Sequence, residues 1–139
     1  MSRQRIASIA LAVIALFMLP VGLQATFAPR SFFDDFPFGR HWVALEGGSY
    51  NEHLVRDVGG LFLALILSTG LTLWRRFPTM AIAAAWLLQG TLHVVYHAGH
   101  LDGYETVDKV AMIVSLAFVP LLAAVALWAG GTSSATERE

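Results

Sequence analysis

In the stretch LHVVYHAGHLDGY, residues 92–104, His93, His97 and His100 follow one another at spacings of four and three. On a helix those spacings put all three imidazoles on one face. Tyr96 lies in the same stripe, and Gln89 extends it one turn towards the chain start. His-x-x-x-His on a helix brings two ring nitrogens within reach of one ion, and a third ligand must come from another element. The stretch YNEHLVRDVGG offers His53 and Asp57, again four apart. Imidazole together with carboxylate suits zinc, iron, copper or manganese. The candidate metal set is therefore His53, Asp57, His93, His97 and His100, with Glu52, Arg56, Gln89, Tyr96, Asp102, Tyr104 and Asp108 as supporting groups. A haem held by His53 with His93 or His97 is the weaker cofactor reading, because Arg56 and Asp57 crowd the same turn.

The same residues also have plainer roles. Ser49-x-x-Glu52 matches a capping box, in which the carboxylate returns to the backbone. Glu52 and Arg56, four apart, suit a helical ion pair, as do Glu105 and Lys109. Asp102-x-x-Glu105 is a second box-like helix start, with Tyr104 and Asp108 four apart beyond it. Side chains near a membrane boundary can also reach water with their polar ends. On this reading the polar groups hold helices together and perform no chemistry. His41 has no periodic partner and stands outside the set.

Groups this far apart in the chain meet only if long elements bring them to one place. The chain has 139 residues, 56% of them apolar and only 14% charged, where a soluble domain carries roughly 25% charge. With a mean hydropathy of +0.61, this composition describes a single membrane domain. A net charge of −1 and the lack of a basic patch give no reason to expect nucleic acid. There is no cysteine, which excludes disulfides, thiolate metal sites, iron–sulfur clusters and covalent haem attachment. No phosphate loop, dinucleotide fingerprint or Gly-x-Ser-x-Gly elbow occurs.

A spanning helix needs about 20 apolar residues, and four segments approach that: about 6–23, 54–74, 77–97 and 110–129. The sequence thus predicts an all-α bundle of four transmembrane helices. The first segment also has the look of a secretory signal, with Arg3 and Arg5 ahead of it and Thr26-Phe27-Ala28 as a small-x-small site. Its apolar run continues past Pro20 to Leu23, long for a signal, and it is read as an uncleaved span. Arg3, Arg5, the Arg75-Arg76 pair and Arg138 fall on one side of a four-span chain, five basic residues against Arg30, Arg40, Arg56 and Lys109 on the other. The outer loops also carry acids and the Arg-Arg pair sits in a very short loop, so both termini are read as cytoplasmic. Gly59, Gly60, Ser68, Gly70, Gly90 and Thr91 are small residues expected to let spans two and three approach closely. Pro20 and Pro120 are expected to kink spans one and four.

On this topology span two starts, span three ends and span four starts at the outer surface, which gathers the polar groups there. The aromatic loop 24–52, with Phe27, Phe32, Phe33, Phe36, Phe38, Trp42 and Tyr50, is expected to lie outside as an interfacial belt, with a lid over the helix ends as the alternative. A short polar tail, 130–139, closes the chain.

The stretches YNEHLVRDVGGLFLAL and HVVYHAGHLDGY resemble those of uncharacterised small four-span bacterial membrane proteins, over about residues 30–125. The resemblance implies four helices and the bacterial inner membrane, and it brings no reaction or ligand with it. Two functions follow as expectations. One is a metal-dependent oxidoreductase acting on a lipid-soluble substrate. The other is a non-enzymatic small subunit or assembly partner, in a homo-oligomer or a larger membrane complex.

Overall fold

A computed structural model describes residues 1–131; of the predicted polar tail, residues 132–139 lie outside the described part. Four long helices carry the chain: α1 (Arg3–Phe27), α4 (Glu52–Arg75), α5 (Met80–Ala98) and α6 (Thr106–Gly130). Two short helices, α2 (Pro29–Asp35) and α3 (Trp42–Leu45), sit in the long connection between α1 and α4. No strand occurs among the described residues.

Three helices, α1, α4 and α6, are long and apolar enough to cross a membrane. At 25 residues each, α1 and α6 extend about 37 Å at 1.5 Å per residue, more than the roughly 30 Å of hydrocarbon in a bilayer. The protein is therefore membrane-like in character. Helix α5 is shorter, at 19 residues, and carries Gln89, His93, Tyr96 and His97, which set it apart from the other three.

The helices lie side by side in the spatial order α4, α1, α6, α5: α1 packs on α4 and α6, and α6 on α5, while α4 and α5 meet only sparingly. The α1–α6 contact is built from small residues, with Ala7, Ala10, Ala123, Ala126 and Ala129 all buried, and short side chains let two backbones come close. Leu11, Ile14 and Trp86 fill the core beside them.

Glycines make the other two close contacts. A Cβ on Gly59 would stand 2.6 Å from the Thr26 backbone nitrogen, so α4 presses directly on the end of α1. A Cβ on Gly90 would stand 2.8 Å from the Pro120 ring, so α5 presses on α6. This corrects the expectation that these glycines join spans two and three: Gly59 faces α1, Gly90 faces α6, and Gly60 and Gly70 face open space. Sequence spacing marks small residues on a helix but does not say which neighbour they meet.

The contacts also fix which ends lie together. Arg3 stacks over Trp128, 4.9 Å from its ring centre, and Gly130 lies against Thr79. One end of the molecule therefore holds Arg3, Arg5, Arg75 and Arg76 together with the exposed rings of Trp74 and Trp128. The opposite end holds the chain from α2 to the start of α4 and the turn between α5 and α6.

Helix starts differ from the predicted boxes. Asn51, in an extended conformation, caps α4, its side chain accepting from the Leu54 amide at 3.1 Å. Ser49 is not the cap, and Glu52 instead turns to Arg56, 2.8 Å away. Helix α6 starts after Glu105 with no side-chain cap.

Candidate functional site

The polar residues resolve into three separate groups at this end of the molecule. The first is a latch between the long connection and α6. Asp108 is buried in the first turn of α6 and accepts hydrogen bonds from the Trp42 indole, at 2.8 Å, and from the Arg40 guanidinium. Tyr104, also buried, donates its hydroxyl to the Trp42 carbonyl at 2.5 Å. Burial first, and the nearby Glu46 carboxylate second, push the Tyr104 phenol up to about 12, so it keeps its proton and holds this bond throughout the neutral range. The long connection is thus folded over the ends of α5 and α6, as the lid alternative had it. Phe27 and Phe38 remain exposed, at 72% and 103%.

The second group sits on α5. His97 Nδ1 lies 2.7 Å from the Glu46 Oε1 carboxylate, with the His97 side chain 15% exposed and that of Glu46 21% exposed. The two atoms are at ion-pair distance but not aligned as a hydrogen bond, which leaves this buried ring nitrogen without an aligned partner. The His93 ring meets the His97 ring edge to face, centres 4.6 Å apart. His100 is exposed, stacked on Tyr96 at 4.2 Å, and donates from Nδ1 to the Tyr96 carbonyl at 2.7 Å. It follows Gly99, which caps the end of α5. Asp102 is exposed in the turn that follows.

The third group is the start of α4. His53 Nε2 and Asp57 Oδ2 are 3.3 Å apart and both exposed. Arg56 pairs with Glu52 and donates to the Thr26 carbonyl at 2.5 Å, satisfying one of the carbonyls that every helix C-terminus leaves free. Together with Gly59 this draws the first turns of α4 onto α1 and away from α5. The predicted convergence of His53 and Asp57 with His93 and His97 does not occur. Among the described residues no three His, Asp or Glu side chains are grouped so that they could hold a metal ion. The physical reason is the helix order: α4 and α5 flank the α1–α6 pair and separate at this end.

That separation leaves a cleft of about 320 Å³ between α4 and α5, lined by Val58, Leu61, Phe62, Leu65, Gln89 and His93. Lower down the two helices are pinned, the buried Trp86 indole donating to the Thr69 hydroxyl at 2.9 Å. Gln89 and His93, in the cleft wall above the pin, have no protein hydrogen-bond partner among the described residues. Another hollow, of about 380 Å³ and lined by Arg56, Asp57, Gly60 and Leu61, opens on α4.

Arg40 and Glu46 were not among the candidate site residues, and Trp42 was counted only as one of the aromatic loop's rings. The signal was present: an Asp in the first turn of a span needs a partner, and a Trp that buries its ring usually finds an acceptor for its N–H. Neither rule names the partner. No family model, curated protein or solved structure matches this chain.

Proposed function

We propose that the protein is a four-span membrane protein that takes a lipid-soluble, neutral-headed amphiphile into the cleft between α4 and α5. The observation that carries this reading is the pair of unpartnered polar side chains, Gln89 and His93, in an otherwise apolar cleft wall. With α5 as the fourth span, Gln89 lies about 14 Å along a helix rising 1.5 Å per residue, near the middle of the bilayer. An amide or imidazole left without a partner in hydrocarbon costs several kcal/mol. A ligand with one hydroxyl or carbonyl satisfies both groups, and its apolar body covers Val58, Leu61, Phe62 and Leu65. No Lys or Arg lines the cleft, which disfavours an anionic head.

The orientation follows from the basic end, with Arg3, Arg5, Arg75 and Arg76 on the cytoplasmic side, and from the resemblance, which points to the bacterial inner membrane. Helix α1 is read as uncleaved because Ala7, Leu11 and Ile14 sit in the core and Thr26 anchors Arg56. The chain has no native cysteine, so single cysteines report the topology directly. Those at Ser49 and Gly103 are expected to react with an impermeant thiol reagent in intact cells, and one at Pro78 is not. The reverse pattern overturns the orientation, and a split between Ser49 and Gly103 overturns the four spans.

The ligand reading is tested with defined probes on protein in phosphatidylcholine nanodiscs. 4-Nonylphenol, at a hundred times its dissociation constant, is expected to stabilise the wild type by about 2.7 kcal/mol. Decanoate is expected to do so far less, and Gln89→Leu and His93→Leu to lose the effect. An equal rise in melting temperature in wild type and both variants would place the probe elsewhere.

A further inference from the structure

The two ends of the molecule treat their arginines differently. At the end that carries the long connection, Arg30 pairs with Asp34, Arg40 with Asp108 and Arg56 with Glu52. At the other end Arg3, Arg5, Arg75 and Arg76 are exposed, and among the described residues none of their guanidinium groups donates to a protein acceptor. No described carboxylate is near them, since every described Asp and Glu falls within residues 34–57 or 102–108. Asp57, the last of these on α4, stands about 27 Å along the helix from Arg75 at 1.5 Å per residue. We propose that this end binds the phosphate of an anionic phospholipid, of the phosphatidylglycerol class, with Arg3 and Arg75 as the contact groups. The site makes no use of the cleft and rests only on the membrane reading.

Each of these two arginines stands over an indole, Arg3 4.9 Å from the Trp128 ring centre and Arg75 4.6 Å from that of Trp74. A ring face holds the cation through its quadrupole and engages none of its N–H groups. Those donors are left for two oxygens of one phosphate, which the guanidinium fork matches. Beyond each indole runs an apolar strip. On α6, Leu121, Val125 and Trp128 are exposed at spacings of four and three, and on α4 so are Leu67, Leu71 and Trp74. Those spacings keep each strip on one helix face. Cation, indole and strip succeed one another in the order of phosphate, interface and acyl chain in a lipid. A soluble phosphate would leave the strips uncovered, so the occupant is a lipid. A zwitterionic head would bring its own cation beside the arginines, where no described carboxylate receives it; a head of net negative charge brings none.

The test is indole quenching by phospholipids brominated on their acyl chains, in mixed bilayers of phosphatidylcholine and phosphatidylglycerol. Trp74→Phe leaves Trp128 as the reporter at this end, and the double variant Trp74→Phe/Trp128→Phe supplies the background from Trp42 and Trp86. Quenching of Trp128 by brominated phosphatidylcholine reports insertion by itself, so a missing head-group preference is distinct from a failure of the membrane reading. At Trp128, phosphatidylglycerol is expected to be favoured over phosphatidylcholine about five-fold, which corresponds to about 1 kcal/mol for one arginine near the surface. Arg3→Gln is expected to lose that preference. Arg30→Gln, at the opposite end and paired with Asp34, is expected to keep it. Salt at about 1 M, where charges are screened within about 3 Å, should remove most of it without any change at Arg3. Equal quenching by the two lipids overturns the site, as does a preference that survives Arg3→Gln or high salt, or one that falls equally in Arg30→Gln.

Discussion

Helix α5 has two long sides, and they are built differently. Against α6 it is closed by Gly90 seated on Pro120. Against α4 it is held at Trp86 and Thr69 and then opens at Gln89 and His93. In water the open side would collapse, because hydrophobic burial rewards closure. In a bilayer it need not, since lipid tails are as apolar as Leu and only close packing and hydrogen bonds draw helices together. The lesson is that a membrane helix is packed where small residues permit backbone contact and left open where bulky or polar ones stand. The seam with α6 is the scaffold, and the seam with α4 is where a ligand has room.

The largest effect should come from filling a closed seam. Gly59→Leu places a side chain where a Cβ already meets the Thr26 backbone, and a backbone cannot swing aside as a side chain can. A loss of about 3 kcal/mol is expected, the upper end for overpacking, measured by unfolding in mixed detergent micelles. Gly60→Leu, one residue along and facing open space, is expected to stay within about 0.5 kcal/mol of wild type. Equal costs for the two would mean that α1 and α4 are not pressed together at this point.

A smaller effect is expected at the pin of the open seam. Trp86→Phe keeps the ring in the core and removes the one hydrogen bond to Thr69, whose hydroxyl still donates to the Leu65 carbonyl at 2.8 Å. The cost should be about 1 kcal/mol, that of a single buried hydrogen bond. The distance between spin labels at Ser68 and Leu88 should lengthen in the variant, because among the described residues no other hydrogen bond ties α4 to α5 at this level. An unchanged distance would mean that apolar packing alone closes the lower half of the seam.

Much of the architecture was legible in residue order. The four apolar segments each became a long helix, because an uninterrupted run of apolar residues can satisfy its backbone groups only within itself when water is absent. Three of them meet the requirements of a span, and Arg3, Arg5, Arg75 and Arg76 lie at one end while Arg30, Arg40, Arg56 and Lys109 lie at the other among the acids. The His-x-x-x-His stripe lies on α5 as its spacing demanded, and Glu52 pairs with Arg56. These are consequences of helical period, which acts over four residues and needs no knowledge of neighbours.

Only the tertiary structure decided who meets whom. His53 and Asp57 sit at the correct end yet face each other, because α4 is drawn to α1 by Gly59 and Arg56 and stands apart from α5. Asp108 looked like a member of the histidine group and is instead the anchor of the connection, held by Arg40 and Trp42. Glu46 became the neighbour of His97 from about 50 positions earlier in the chain, through a loop with no period to read. Helical spacing is set by local backbone geometry, and the sequence determined it alone. Lateral order among apolar helices is set by which small residues happen to find a matching backbone, and that emerges only when all the helices are assembled.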